Sequence, residues 1–264
     1  AGGGNVFHGA TLPFSMVKLG PDCNSNMASA GYDERNHTII NGFSHTHTSG
    51  AGGGPKYGNI LVQPFTSGPP IGDGGSTFSR EVPRVGSYSV HLDRWNIQVS
   101  LTTTASVGLH TYTFEGDGEA GILIDAGHFL LSRHPTEKQE LVGSGVKVLS
   151  PTEIEGYSRV RGGWGDNGPY TVYFYAVLDT PAVATGVWKD DVIQRGAATA
   201  EGQVVVGGAA DVEDIRVDEV RRVAVGRRVV DDDLLAGGDR LAGDLGVDRR
   251  GATEVVDRRA PAQE

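Results

Sequence analysis

The chain has 264 residues, a net charge of −10 and a single cysteine, Cys23. The acidic balance argues against a nucleic-acid or anionic-membrane partner, and one cysteine excludes an internal disulfide framework or a thiolate zinc site. No apolar run approaches the roughly 18 residues of a membrane helix, and no basic-then-apolar leader opens the chain at Ala1.

In chain order, the first unusual stretch is "GFSHTHTSG", Gly42–Gly50. His45 and His47 stand at i, i+2, which in an extended segment puts both rings on one face. Three readings are open. Two imidazoles can ligate a borderline metal such as zinc, with a third ligand from elsewhere; Asp22, Asp125 and His128 qualify by residue type. Each ring can instead hydrogen-bond a carbonyl or hydroxyl and order the loop. Or the loop is the polar, uncharged lining of a sugar pocket, since neutral imidazole, Ser and Thr both donate and accept hydrogen bonds. The following "SGAGGGPKYG" lacks the Gly-Lys-Ser/Thr ending and following helix of a phosphate loop.

Strand signals then recur at short spacing. "NILVQPF" is apolar and bounded by turn residues. "GSYSVHLD" alternates Tyr88, Val90 and Leu92 against Ser87, Ser89 and His91, the period of a half-buried strand. "NIQVSLTTTA" follows as the second arm of a hairpin, "GLHTYTFEG" alternates again, and "EAGILIDAG" and "YTVYFYAVLD" are further strands. Short strands, Gly/Pro turns and few helical patterns predict an all-β fold, an antiparallel β-sandwich. Tyr88, Tyr112, Phe114, Tyr173 and Tyr175 are expected in its core or between its sheets. Asp125 and His128 at a strand end read as an acid/base pair or, more simply, as turn caps. Trp164, among glycines, reads as a packed edge aromatic or a sugar-stacking platform. No Gly-x-Ser-x-Gly nucleophile elbow occurs before residue 190.

After Lys189 the composition changes. Phe, Tyr, Trp, His, Lys, Ser, Asn, Cys and Met vanish, leaving stretches such as "VRRVAVGRRVVDDDLLAGGDRLAGDLGVDRR". The expected organisation is therefore a sandwich over residues 1–190 and an atypical, low-complexity tail over 191–264 with no assigned function. The tail is either an Arg/Asp-rich, partly helical or disordered extension or, the favoured reading, an out-of-frame translation of a GC-rich gene.

Four segments in order resemble one family: "NVFHGATLPFSMVKLGPD", "GYDERNHTIINGFSHTHTSGAGGGPKYGNILVQP", "FSREVPRVGSYSVHLDRWNIQVSLTTTASVGLHTYTFEG" and "IEGYSRVRGGWGDNGPYTVYFYAVLDTPA". The chain resembles the N-terminal domain of glycoside hydrolase family 92, the calcium-dependent, exo-acting, inverting α-mannosidases. The resemblance implies a β-sandwich that packs on a separate (α/α)6 barrel. The barrel would carry the general acid, the general base and most calcium contacts. It also implies a mannose-containing N-glycan as substrate and a secreted or periplasmic location. By the same resemblance this stretch supplies no catalytic residue and no metal ligand of its own, and is expected to be inactive without the barrel. Ser44, His45, Thr46, His47 and Gly53 are then expected to line or support the sugar pocket. The rivals are a free-standing carbohydrate-binding module and a His-based metalloenzyme. Gly53 stands where relatives carry Trp or Cys; His8, Ser15 and Ser106 also depart from the family pattern.

Overall fold

The computed structural model describes residues 6, 8–23, 31–32, 38–50, 55–68, 74–115, 118–132, 137–189, 192–200, 203–207 and 220–228. Every element among the described residues is a strand. In chain order they are β1 (Ala10–Thr11), β2 (Lys18–Cys23), β3 (Ile40–Ser44), β4 (Leu61–Thr66), β5 (Phe78–Arg84), β6 (Ser87–Leu92), β7 (Ile97–Thr103), β8 (Val107–Phe114) and β9 (Ala120–Asp125). There follow β10 (Glu140–Ser150), β11 (Glu153–Gly162), β12 (Gly165–Leu178), β13 (Ala184–Lys189), β14 (Val192–Arg195), β15 (Thr199–Ala200), β16 (Gln203–Gly207) and β17 (Val220–Arg228).

Two antiparallel sheets form. One has the order β1-β2-β3-β4-β9-β16-β13-β14, the other β15-β10-β11-β12-β17-β8-β7-β6-β5. The all-β sandwich expected from turn spacing is what the chain adopts. The hairpin read from "GSYSVHLDRWNIQVS" forms in register, Tyr88 opposite Leu101 and Val90 opposite Val99. Its alternation sends Tyr88, Val90 and Leu92 inward, because one face of the pleat must leave water. The "ILI" run of β9 is buried along its length, since β9 lies between β4 and β16 inside its sheet.

Phe43, Val62, Tyr88, Val90, Ile97, Val99, Leu101, Tyr112, Phe114, Ile124 and Phe174 belong to one apolar cluster. Of the aromatics expected there, Tyr88, Tyr112 and Phe114 are buried, whereas Tyr173 and Tyr175 are half-buried. These two flank buried Phe174 in sequence, so the period of two turns them to the other face, where Tyr175 donates to Glu153.

The sheets do not end where the composition changes. β16 fills the position between β9 and β13, and β17 the position between β12 and β8. Val225 of β17 is 2% exposed in the core. Backbone pairing with β-branched valines needs no aromatic residue, so a composition boundary near residue 190 cannot locate the edge of a sheet. Residues 229–264 lie outside the described residues.

Ending the chain after Ala200 removes two inner strands and should abolish cooperative denaturant unfolding followed by circular dichroism. An unchanged midpoint would show that β16 and β17 add nothing to the sandwich.

Candidate functional site

The histidine stretch begins at the end of β3 and leaves it as a loop held on both sides. Lys18 N donates to His45 O at 2.9 Å, His45 N to Asn59 O at 3.2 Å, and Gly58 N to Thr46 O at 3.3 Å. Gly58 has φ +62°, and a Cβ there would lie 2.5 Å from Leu130 Cγ. A bare backbone at this point lets the loop after β9 close over it, and Leu130 N donates to Tyr57 O at 2.7 Å.

The centre of the arrangement is Asp22 on β2, 1% exposed. His47 Nε2 donates to Asp22 Oδ1 at 2.6 Å, Ser44 Oγ donates to the same oxygen at 3.1 Å, and His128 Nε2 donates to Oδ2 at 2.6 Å. The other nitrogen of His47 donates to Lys18 O at 2.9 Å. Both His47 nitrogens thus face acceptors. Burial alone would raise the Asp22 carboxyl, but the charge of His47 and the hydrogen bonds from His128 and His47 outweigh it and hold the group at about 2. Burial pulls His128 down, yet the bond to Asp22 and the charges of Asp22 and Asp125 leave it raised.

Ser44, His47 and Asp22 do not form a nucleophilic triad. Serine and carboxylate meet the same ring nitrogen, whereas a triad needs them on opposite nitrogens.

His45 turns into the space between the sheets. Its Nδ1 donates to Ile60 O at 2.7 Å, its Nε2 lies 3.0 Å from His110 Nε2, and His110 Nδ1 lies 2.8 Å from the Tyr112 hydroxyl. A carbonyl can only accept, so the proton assignment propagates. His45 carries its proton on Nδ1, His110 donates from Nε2 to the bare His45 Nε2, and Tyr112 donates to His110 Nδ1. Both rings are neutral. Burial depresses His45 to about 4, the Ile60 bond opposing it, and burial with the neighbouring His45 takes His110 well below its usual range.

Thr46 is half-buried and donates to Asn59 Oδ1 at 3.1 Å. Asn59 is fully buried and also receives Tyr170 OH at 3.2 Å while donating to Ser158 at 3.3 Å. So Ser44, His45 and His47 are interior side chains, and Thr46 is a strut. The loop's outward residues are Ser49 and Gly50. Gly53 lies outside the described residues. The two rings do not converge on a shared point: both nitrogens of each are engaged, with separate partners. Asp125 caps its own turn, accepting from Gly127 N at 2.8 Å. Among the described residues no group of three His, Cys, Asp or Glu is arranged to hold a metal ion. The donor set also fits calcium poorly, because both Asp22 oxygens are already bonded to imidazoles. Sequence reasoning missed His110 and Asn59. Their signals were a histidine on the inward phase of an alternating strand and an amide just before an apolar one.

The layered sheets define a two-sheet β-sandwich domain whose polar interior orders one surface loop. Residues 1–223 match the model of the glycosyl hydrolase family 92 N-terminal domain, and the chain belongs to that family. It is similar to the family GH92 alpha-mannosidase of Bacteroides thetaiotaomicron solved with mannoimidazole, at 26% identity and TM-score 0.75 over 87% of this chain and 31% of that one. A GH92 inverting mannosidase of the same organism shares the fold, with 17% identity and TM-score 0.65 over 85% of this chain and 28% of that one. Over 64 residues, 24% of this chain and 8% of the relative, it is 39% identical to an uncharacterized secreted glycosidase of Arthroderma benhamiae. The chain therefore spans about a third of the solved mannosidases' length. No helix among the described residues is long and apolar enough to cross a membrane.

Two outcomes are expected. Replacing Asp22 by Asn strips the charge that His47 and His128 face; breaking one side of a buried pair should cost about 3–5 kcal/mol in denaturant unfolding. A loss below about 1 kcal/mol would mean the cluster is not a structural anchor. The second concerns pH. His45 and His110 are depressed in the folded chain, so the unfolded chain takes up protons first as pH falls below about 6.5, and each ring removes up to about 1.4 kcal/mol per pH unit. The loss from His45 levels near pH 4. Raised His128 works the other way, stabilising below about 6.5 and losing that effect as pH climbs through its raised value. Two depressed rings outweigh one raised ring, so stability should fall from pH 7 to 5. His110→Gln keeps a donor for His45 and an acceptor for Tyr112 and should flatten that slope; an unchanged slope would refute the neutral relay.

Proposed function

We propose that this chain is the N-terminal sandwich of an exo-acting, inverting α-mannosidase that trims glycoprotein N-glycans outside the cytoplasm. The reading rests on the family match over residues 1–223 together with the TM-score of 0.75 to a mannosidase solved with mannoimidazole. In an inverting enzyme one carboxylic acid protonates the leaving oxygen while a carboxylate across about 6.5–9.5 Å activates water. Asp22 suits neither task. At neutral pH it holds no proton to give, and both its oxygens already accept hydrogen bonds. Asp125 is occupied with its turn. By the family resemblance, the acid, the base and most calcium ligands are assigned to an (α/α)6 barrel outside this stretch. Calcium bound there would engage sugar hydroxyls.

The role of Ser44, His45, Thr46 and His47 in this reading is support. They fix the backbone that carries Thr48, Ser49 and Gly50 to one wall of the mannose pocket. The His-based metalloenzyme has no support in the ring geometry.

The purified chain should release no mannose from α-mannobiose with or without calcium. Joined to the remaining length of a family relative it should become active, and Asp22→Asn should lower that activity. Calcium-dependent release by the chain alone would overturn the division of labour. Submillimolar mannobiose binding in calorimetry would favour a free-standing binding module, because half a pocket lacks the buried contact that small-ligand affinity needs.

A further inference from the structure

We propose that Trp164 is a prebuilt stacking platform for one pyranose ring of a neutral, mannose-containing oligosaccharide. The inference deepens the proposed function and rests on it for the kind of sugar.

Trp164 is 53% exposed, whereas the chain's other two tryptophans, Trp95 and Trp188, are each 6% exposed and belong to the core. It sits at the turn joining β11 to β12. That turn is held rather than free. Gly163 N donates to Glu137 O at 2.7 Å, and a Cβ on Gly162 would overlap the Lys138 carbonyl oxygen. Gly162 and Gly163 have φ +89° and +72°, a geometry that glycine adopts without strain.

The indole itself is braced. Lys56 Nζ lies 4.5 Å from the ring centroid. Lys56 is 1% exposed and its ammonium is 2.6 Å from Glu137 Oε1, so the cation is fixed and charge-balanced. Tyr57 meets the indole edge-on, with centroids 6.4 Å apart at 68°. Tyr57 is held in turn by Tyr170 at 5.5 Å, and Tyr170 by buried Asn59. Asn59 is the residue that also receives Thr46 of the histidine loop. An aromatic face fixed in this way loses little entropy on stacking, and preorganisation of that kind is what weak sugar affinity depends on.

The surroundings favour a sugar over a protein partner. Near the same turn, Arg161 pairs with Glu140 at 2.7 Å, each 56% exposed, and Lys56 pairs with Glu137. A single indole among neutralised ion pairs is about the size of one pyranose, whereas a stable protein interface buries about 1,200–2,000 Å² around an apolar centre. These two pairs balance four of the charges beside the turn.

Because Trp95 and Trp188 are buried, acrylamide quenching of the 264-residue chain reads Trp164. Titration with α-1,2-mannotriose should protect the quenchable fraction, saturably and in the millimolar range, and an acyclic polyol such as mannitol should not. Trp164→Ala should abolish the quenchable fraction and also the saturation-transfer NMR signal of the sugar, with an unchanged thermal midpoint. Trp164→Phe should retain a weaker sugar signal. Absence of protection, or a sugar signal that persists in Trp164→Ala, overturns the platform. So does protection that depends on protein concentration alone, which would mark a contact between chains. In the fused, active protein, Trp164→Ala should raise KM for an oligosaccharide about fivefold to tenfold and leave hydrolysis of a simple aryl α-mannoside unchanged. Unchanged kinetics on both substrates would remove the platform and leave the proposed function standing.

Discussion

The carboxylate of Asp22 is the constraint around which this half of the sandwich is arranged. An ionised group 1% exposed in an interior is costly unless it is paired and hydrogen-bonded. Three donors from three parts of the chain meet that demand: Ser44 at the end of β3, His47 in the loop beyond it, and His128 after β9. No two of the three can move away without leaving the charge exposed to a medium that cannot solvate it. The sheet edge, the histidine loop and the β9 loop are therefore specified together. Gly58 and Leu130 complete the closure with ordinary packing.

A second polar chain runs through the interior, and its logic is different. Ile60 O, His45, His110 and Tyr112 form a sequence in which each donor has one acceptor. Its members stay neutral. It links the segment before β4, in one sheet, to β8 in the other, and so gives the sandwich a directional contact where apolar packing alone would be indifferent to register. The Asp22 cluster, in contrast, is ionic and lies nearer the surface at His128, whose side chain is 22% exposed. Adjacent histidines thus serve two chemistries because their rings enter two environments.

Much of the fold was legible because it rests on alternation. Tyr88, Val90 and Leu92 declared an inward face, and the "DRW" interruption declared a hairpin. Tyr173 and Tyr175 are half-buried because phase outranks aromatic character; Phe174 between them occupies the inward position. The placement of β16 and β17 was not legible, since strand insertion depends on which neighbours offer unpaired backbone, and composition does not record that. For the loop, spacing singled out His45 and His47 as a pair. It could not reveal that one ring would find Asp22 and the other His110, partners 25 and 65 residues away in sequence. Residue type named Asp22 and His128 only as candidate third ligands for a metal. Their roles became clear only from geometry that puts them in direct contact, with no space for a metal between.

Inward-turned histidines also hold a loop of small residues in place. Ser49 and Gly50 carry little side chain of their own. Left unsupported, such a segment would sample many conformations, because glycine restricts the backbone least. Here its base is fastened by His45 and His47 on one side and by Thr46 through Asn59 on the other. The backbone is then held in one arrangement. The same Asn59 receives Tyr170, which packs on Tyr57 and through it on Trp164. A single buried amide thereby couples the histidine loop to the exposed indole, and a disturbance at either end must pass through a group whose oxygen already accepts two hydrogen bonds.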